Sequence, residues 1–141
     1  MASFRELLIE YEGSLPEDLR IPDLVRELRM LQQRYAAGAF FLARLAGEPV
    51  GCVVLNSIDP ATAEIKRLFV MPAARRSGAG RALMEAAIAF ARDRAYARVV
   101  LDTDRKRLSS AYRLYRSLGF AECDPYGPVE YEDPTYLQLT L

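Results

Sequence analysis

The sequence predicts one α/β domain of the α+β kind, spanning residues 1–141, in which helices flank a mixed sheet. Segments with helical spacing of apolar residues and segments rich in β-branched and aromatic residues follow one another in the order α-α-β-β-β-α-β-α-β-β. The 141 residues are enough to bury one hydrophobic core. Their composition, 51% apolar and 27% charged, is typical of a soluble globular protein.

The first half of the chain predicts two helices followed by three strands. Helical spacing covers residues 4–11 and 23–35, and β-rich segments cover residues 40–45, 50–55 and 63–70. Turn residues at 46–49 join the first two strands as a hairpin. Residues 68–71 are all apolar, so the third strand is either buried on both faces or carries a β-bulge.

The second half predicts two helices and three strands. The helices cover residues 80–94 and 108–118, and the strands cover residues 97–103, 119–123 and 135–141. The first of these helices has the clearest apolar stripe, formed by Leu83, Met84, Ala87, Ile88 and Ala91. Gly119 directly follows the second helix and is expected to end it, because glycine adopts left-handed backbone angles without strain.

Composition excludes several kinds of site. The 19 basic and 19 acidic residues cancel, so no net charge favours nucleic acid as a partner. The chain has no histidine, and Cys52 and Cys123 form no C-x-x-C motif, so we expect no metal, histidine triad or disulfide scaffold. No apolar run reaches the roughly 20 residues that span a bilayer, and no secretory signal follows Met1. We therefore expect a cytoplasmic protein with no membrane partner.

Charge is distributed unevenly along the chain. Between residues 66 and 81 every charged residue is basic: Lys66, Arg67, Arg75, Arg76 and Arg81. From residue 117 onward every charged residue is acidic: Glu122, Asp124, Glu130, Glu132 and Asp133. The separation predicts two ligands, or two ends of one site, of opposite charge, unless both sets only face solvent.

The segment Arg-Arg-Ser-Gly-Ala-Gly at residues 75–80 lies between a predicted strand and a predicted helix. The first turn of a helix has N–H groups without intrahelical partners, and glycine lets an anion approach them closely. The segment therefore predicts a phosphate site, with an ordinary turn as the alternative. A dinucleotide fingerprint does not fit, because Leu83 stands where a third small residue is needed, and a P-loop Gly-Lys-Ser/Thr is absent.

Two motifs resemble the GNAT superfamily of N-acetyltransferases. The stretch "EIKRLFVMPAARRSGAGRALMEAAIAFAR" is similar to the family's acetyl-CoA-binding motif, R/Q-x-x-G-x-G/A, which Arg75, Gly78 and Gly80 match. Downstream, "AYRLYRSLGF" is similar to the family's A-x-x-L-Y-x-x-x-G-F. The resemblance is good over residues 40–124. It implies a mostly antiparallel central sheet flanked by helices, with a splayed strand pair that binds CoA.

The resemblance also implies how acetyl-CoA, the co-substrate, is held. The pyrophosphate would lie on main-chain N–H groups of residues 76–81, and the pantetheine arm along residues 68–70, with the N–H of Val70 near the thioester oxygen. The implied cofactor residues are Leu68, Phe69, Val70, Arg75, Arg76, Ser77, Gly78, Ala79, Gly80, Arg81 and Ser110. Many members have Asn where this chain has Leu108, so that contact falls to Ser109 or Ser110 or is lost.

By the same resemblance, the catalytic residues are Tyr115 and Glu64. Tyr115 would protonate the departing thiolate, with Tyr112 as its substitute and a purely buried aromatic role as the alternative. Glu64 would be the general base, usually through water, with Glu130 and Asp133 as competitors. The family's first strand is missing, because the chain already begins with a predicted helix.

The implied function is that of an acetyl-CoA-dependent N-acetyltransferase. It would move an acetyl group directly to the primary amine of a small molecule or peptide, and the acidic residues after position 117 would favour a cationic acceptor. The alternative is a catalytically silent acyl-CoA-binding or protein-interaction domain of the same fold. Family members are often dimers, which leaves a homodimer open.

Overall fold

The computed structural model of the protein describes residues 2–20, 26, 29, 30, 33, 35–129 and 131–141. The helices whose bounds lie within these residues are α1 (Ala2–Ser14), α2 (Ala79–Asp93) and α3 (Ser109–Ser117). The strands are β1 (Ala39–Leu45), β2 (Glu48–Asp59), β3 (Thr62–Val70), β4 (Arg98–Thr103), β5 (Ala121–Glu122) and β6 (Thr135–Thr140). Short 3₁₀ turns lie at Glu17–Leu19 and Pro72–Ala74.

The described strands form one sheet in the order β1-β2-β3-β4-β6-β5. Neighbouring strands are antiparallel except β3 and β4, which are parallel. Helices α2 and α3 pack on one face, and α1 packs on the other. The predicted fold class, a mixed and mostly antiparallel sheet flanked by helices, is confirmed. Among the described helices, none combines the length and the apolar composition needed to cross a membrane.

Several elements differ in length from their predictions. The strand predicted at 119–123 shortens to the two residues of β5, because Gly119 (φ +100°) ends α3 and Pro125 follows closely. Within the predicted helix at 23–35, residues 26, 29, 30 and 33 are helical, Tyr35 lies in a turn, and the others lie outside the described residues. As the sequence predicted, the chain begins with a helix, and residues 2–20 contain no strand.

The two faces of the sheet bury separate apolar clusters. Under α2 and α3 the buried residues include Val53, Leu55, Ile65, Leu83, Met84, Val99, Leu101 and Phe120. Under α1 they are Leu7, Tyr35, Cys52, Val54 and Phe69. Successive residues of β2 therefore alternate between the two clusters, as expected for a central strand that is covered on both faces.

Strand β3 carries the β-bulge that its broken alternation suggested. Cys52 lies opposite Phe69, but Val54 lies opposite Lys66, so β3 has one residue more than β2 across this step. Arg67 takes a φ of +58°, in the left-handed region that residues with side chains seldom adopt. The bulge therefore lies at residues 66–69, slightly earlier than the apolar run at 68–71 that predicted it.

The bulge and the end of strand pairing together open the sheet. In an unbroken strand Glu64 and Leu68 would share a face, but Leu68 now packs against the cluster under α2. The pairing of β3 with β4 covers three residues and ends where Glu64 lies opposite Val100. Among the described residues, β3 has no strand partner on this side beyond that point. The predicted splayed strand pair is present.

Asp104 holds the turn that leads into α3. Its carboxylate accepts hydrogen bonds from the backbone N–H groups of Lys106 (3.1 Å) and Arg107 (2.9 Å) and from Nε of Arg107 (2.6 Å). The Arg107 guanidinium also donates to both carboxylate oxygens of Asp18, at 2.8 and 2.9 Å. The backbone N–H of Arg107, and then its guanidinium, hold the pKa of Asp104 below its ordinary value.

We expect Asp104→Asn to lower the free energy of unfolding at neutral pH by about 1 kcal/mol. Because the folded state lowers the pKa of Asp104, its contribution is complete above about pH 4 and disappears as the pH falls through the folded-state value. Urea unfolding should show a difference from wild type that shrinks between about pH 7 and pH 2. Asp59→Asn is the control, because Asp59 accepts from the N–H of Ala61 (2.8 Å) without an arginine contact among the described residues. Equal pH dependence in both variants would contradict the prediction.

Candidate active site

A cleft of about 1710 Å³ opens where β3 and β4 diverge. Its walls come from α1, the diverging strands, the amino ends of α2 and α3, and residues 126–129 and 131. The predicted site residues that line it are Glu64, Leu68, Phe69, Val70, Arg75, Arg76, Gly78, Ala79, Gly80, Arg81, Ser110 and Tyr115. The structure therefore brings both predicted motifs to one cleft.

The amino end of α2 presents main-chain N–H groups to this cleft. Those of Arg76, Gly78, Gly80 and Arg81 have no acceptor among the described residues. Arg76 (φ +70°) and Gly78 (φ +87°) are left-handed, and such turns direct successive N–H groups toward one side, where they can bind an anion. Ser77, a predicted cofactor residue, does not line the cleft, and its hydroxyl accepts from the N–H of Ala79 at 3.3 Å.

The arginines at this end have different contacts. Nε of Arg75 donates to the carbonyl of Val70 at 3.3 Å, which holds the turn against β3. The Arg81 guanidinium donates to the hydroxyl of Ser117 at 2.7 Å, so this end of α2 is tied to α3. Arg76 is exposed and forms no ion pair with the described residues. Its guanidinium is therefore available to an anion at the amino end of α2.

Val70 presents its main-chain N–H to the gap between the strands. It lies opposite Gly51 in the β2–β3 ladder, and the next residue, Met71, donates its N–H to the carbonyl of Val50 at 2.8 Å. Adjacent residues of a strand direct their N–H groups to opposite sides. The N–H of Val70 therefore points away from β2 and toward the gap.

Tyr115 brings an unused hydroxyl to the cleft. The residue is 7% exposed, and its hydroxyl has no hydrogen-bond partner in the described part of the chain. Its ring packs against Phe120, with centroids 6.1 Å apart. Burial, followed by Tyr11 and Asp102, raises the pKa of Tyr115, so the hydroxyl keeps its proton. Tyr112, the predicted substitute, does not line the cleft and packs against the cluster under α2.

Glu64 is held at the point where β3 and β4 separate. It is 7% exposed. Its Oε1 accepts from Nδ2 of Asn56 at 3.2 Å and lies 3.9 Å from Nζ of Lys66. Its Oε2 accepts from the hydroxyl of Tyr126 at 3.1 Å. The carboxylate therefore has a fixed orientation at the apex of the cleft.

Sequence reasoning missed a second carboxylate at this apex, that of Asp102, which contacts two tyrosines. Oδ2 of Asp102 lies 3.1 Å from the hydroxyl of Tyr126, and Oδ1 accepts from the hydroxyl of Tyr131 at 2.7 Å. Burial, together with Asp102, raises the pKa of both tyrosines. One feature of the sequence could have pointed to Asp102, because it is an acidic residue within a buried strand. Leu101 faces the cluster under α2, so Asp102 faces the other side of the sheet.

Comparison with known proteins identifies the family. Residues 2–120 match the model of the acetyltransferase (GNAT) family. The chain belongs to the GNAT family. A protein of Schizosaccharomyces pombe, named as an uncharacterized N-acetyltransferase, is 31% identical over 142 residues, which cover 98% of this chain and 86% of its relative. The GNAT chain is therefore an acyltransferase.

Solved GNAT structures share this fold. An acetyltransferase from Streptococcus agalactiae superposes with a TM-score of 0.77 at 29% identity, over 99% of this chain and 90% of the other. A GNAT family acetyltransferase from Elizabethkingia anophelis, crystallised with acetyl-CoA bound, superposes with a TM-score of 0.67 at 26% identity, over 80% of this chain and 82% of the other. The GNAT neighbours thus include a protein that binds acetyl-CoA.

Two of the acidic residues near the C-terminal end of this GNAT chain form surface ion pairs. Asp133, a predicted competitor for the base, pairs with Lys106 at 3.4 Å and does not line the cleft. Glu122 likewise pairs with Arg105 at 3.6 Å, and Glu130 lies outside the described residues. The carboxylates described at the apex, Glu64 and Asp102, come from the diverging strands.

Proposed function

We propose that this GNAT enzyme transfers the acetyl group of acetyl-CoA directly to the primary amine of a small molecule or peptide. One observation carries the proposal: a single cleft contains the free N–H groups of α2, the partnerless hydroxyl of Tyr115 and the Glu64 carboxylate. The N-acetyltransferase name of the fission yeast relative supports the acceptor class. The acetyl-CoA in the Elizabethkingia neighbour supports the donor.

The residues of the cleft fit acetyl-CoA. The N–H groups within residues 76–81 and the exposed guanidinium of Arg76 would hold the pyrophosphate. The unpaired edge of β3 at residues 68–70 would hydrogen-bond the pantetheine arm as an added strand does. At the amino end of α3, Ser109 and Ser110 line the cleft where the family has Asn at position 108. When bound, acetyl-CoA supplies the acetyl group as a thioester.

Glu64 is the group that we assign to proton removal from the amine. A primary amine is protonated at neutral pH and must lose that proton before it can attack a carbonyl. Glu64 is buried, oriented by Asn56 and Tyr126, and placed at the apex of the cleft. Asp102 adds a second carboxylate close by, so an ammonium group is attracted to this end. The acceptor should therefore be cationic in solution.

Val70 and Tyr115 are assigned to the reacting thioester. The N–H of Val70 would stabilise negative charge that develops on the carbonyl oxygen. The hydroxyl of Tyr115 would donate to the leaving sulfur, acting as the general acid. Burial raises the pKa of Tyr115, and a phenol already has a higher pKa than a thiol. Tyr115 therefore donates a strong hydrogen bond to the sulfur without losing its proton completely. The nitrogen loses one proton to Glu64 before it attacks and a second as the amide forms; the second proton balances the departing thiolate.

A panel of acyl acceptors tests the proposal. Acetyl-CoA is mixed with primary amines, amino-terminal peptides and amino acids, and release of free thiol is measured. We expect acceptors without a carboxylate near the amine to have kcat/KM values at least about tenfold higher, because two carboxylates occupy the apex. Reaction with carboxylate-rich acceptors alone would contradict the charge argument. Calorimetric binding of acetyl-CoA with no thiol release would favour a silent acyl-CoA-binding domain.

A further inference from the structure

Tyr126 lies between two carboxylates that belong to different strands. Its hydroxyl oxygen is 3.1 Å from Oε2 of Glu64 on β3 and 3.1 Å from Oδ2 of Asp102 on β4. Tyr126 itself comes from the segment between β5 and β6, where its ring packs edge-on against Tyr136 with centroids 5.3 Å apart. The three groups meet where the pairing of β3 and β4 ends.

The protons in this arrangement can be counted. A phenol hydroxyl has one proton, so it donates fully to one acceptor at a time. With both carboxylates ionised, one of the two 3.1 Å contacts therefore lacks a hydrogen. One additional proton gives each contact its own hydrogen bond. The shared hydroxyl can therefore pass a proton from one carboxyl to the other.

The two carboxylates differ in their neighbours. Lys66, on β3, lies 3.9 Å from Glu64, and Asn56, on β2, donates to the same oxygen at 3.2 Å. Asp102 has no ion pair with a lysine or arginine among the described residues and contacts the hydroxyls of Tyr126 and Tyr131. A cation therefore accompanies Glu64, so a proton that passes through Tyr126 has its place at Asp102.

The other titratable groups around this cluster are phenols, the carboxylates of Asp104 and Glu12, and the Arg67 guanidinium, which lowers the pKa of Tyr11. Tyr131 donates to Asp102 at 2.7 Å. Tyr11, on α1, and Tyr115, on α3, both have a pKa raised first by burial and also by Asp102, and that of Tyr11 reaches about 12. Asp104 adds to the shift of Tyr131 after burial and Asp102.

We propose that Tyr126 is a positioning residue that shares one proton between Glu64 and Asp102, so that Asp102 holds the proton that Glu64 removes from the acceptor amine. The inference rests on the proposed function, in which Glu64 is the base. It adds a tyrosine and a second carboxylate to the proton path, neither of which the sequence motifs contain.

The proton path balances without any redox change. Glu64 takes a proton from the ammonium group, directly or through water, and the amine keeps its electron pair. The new O–H of Glu64 passes its proton to the oxygen of Tyr126, while the original proton of Tyr126 moves to Oδ2 of Asp102. Glu64 is again a carboxylate, Tyr126 is again neutral, and Asp102 is a carboxylic acid. Asp102 loses this proton to solvent before the next turnover, and the second proton, which leaves the nitrogen as the amide forms, goes to the product thiolate.

The pH dependence of kcat/KM for a reactive amine tests the inference, because its acidic limb reports the base of the free enzyme. Tyr126→Phe removes the shared hydroxyl and keeps the ring contact with Tyr136. Glu64 then faces a second carboxylate without a donor between them, and we expect the acidic limb to move up by about one pH unit. Tyr136→Phe is the matched control: its hydroxyl donates to the carbonyl of Gly127 at 2.8 Å and touches neither carboxylate. The acidic limb of the Tyr136→Phe profile should coincide with that of wild type.

Asp102→Asn provides a second variant with the opposite expectation. It removes the like charge near Glu64 and lets Tyr126 donate to Glu64 alone, so the acidic limb should move down. Because the two side chains have the same shape, this variant tests the inference even where Tyr126→Phe does not fold. Carbon-13 NMR of the Glu and Asp carboxyls in the free enzyme adds a readout that needs no substrate. Wild type should show two coupled titration steps, and the separation between the two steps should change in Tyr126→Phe.

The possible outcomes test proton sharing and the proposed acetyltransferase function separately. Opposite shifts in Tyr126→Phe and Asp102→Asn, with Tyr136→Phe unchanged, support proton sharing. Identical profiles in wild type and both cluster variants overturn it, as does an equal shift in Tyr136→Phe, which would indicate a role in loop structure alone. If wild type acetylates no amine, the proposed function fails, while the NMR titration still decides whether the carboxyls share a proton.

Discussion

Gly80→Glu is expected to abolish CoA binding and to leave the protein folded. A Cβ at Gly80 would lie 3.4 Å from Cδ2 of Leu114 and 3.6 Å from Cγ2 of Val70, so the new side chain would start inside the cleft without a clash. Its carboxylate would occupy the free N–H groups at the amino end of α2, which stabilise an anion. Calorimetric titration with CoA should show a Kd at least about 100-fold higher than that of wild type.

Two control variants separate charge from shape. Ala86→Glu adds the same charge at an exposed position of α2 that does not line the cleft, and its Kd should stay within about twofold of wild type. Gly80→Ala adds a Cβ with ordinary contacts, and its Kd should rise by less than about tenfold. A Gly80→Glu variant that keeps its circular dichroism spectrum and binds CoA like wild type would mean that no anion lies at this turn.

The cofactor half of the site could be predicted from the sequence because its parts are contiguous. A strand, a turn and a helix follow one another in residues 62–93, so local pattern alone places the N–H groups beside the edge of β3. The four apolar residues at 68–71 left a bulge and double burial as alternatives. The structure has both, since β2 and β3 are covered on two faces and Arg67 lies in a bulge. The local sequence pattern could not predict that the hydroxyl of Ser77 would accept a hydrogen bond from the N–H of Ala79.

The acceptor half could not be predicted in the same way, because its residues come from distant parts of the chain. Tyr126 lies 62 residues from Glu64 and 24 residues from Asp102 along the sequence. No short motif relates these positions, and only the strand order brings β3 and β4 together. Charge counting is limited for a related reason, because it could not show that Glu122 would pair with Arg105 on the surface.

Tyr115→Phe is expected to lower kcat by roughly 100-fold while the Kd for CoA stays within about twofold of wild type. The hydroxyl of Tyr115 has no partner in the described part of the chain, so its removal breaks no hydrogen bond of the protein. The ring and its contact with Phe120 remain. Stability should therefore be unchanged, and the loss should fall on turnover, measured as thiol release at saturating concentrations of both substrates.

Tyr112→Phe is the matched control, because Tyr112 lies on the same helix, packs against the core and does not line the cleft. Its kcat should stay within about twofold of wild type. Burial raises the pKa of Tyr115 well above its ordinary value, so the proton-donating form persists throughout the neutral range. The ratio of wild-type to Tyr115→Phe kcat should therefore be constant between about pH 6 and pH 9. Equal kcat in the two enzymes would remove Tyr115 from the reaction, and a ratio that falls toward alkaline pH would mean that its hydroxyl ionises within this range.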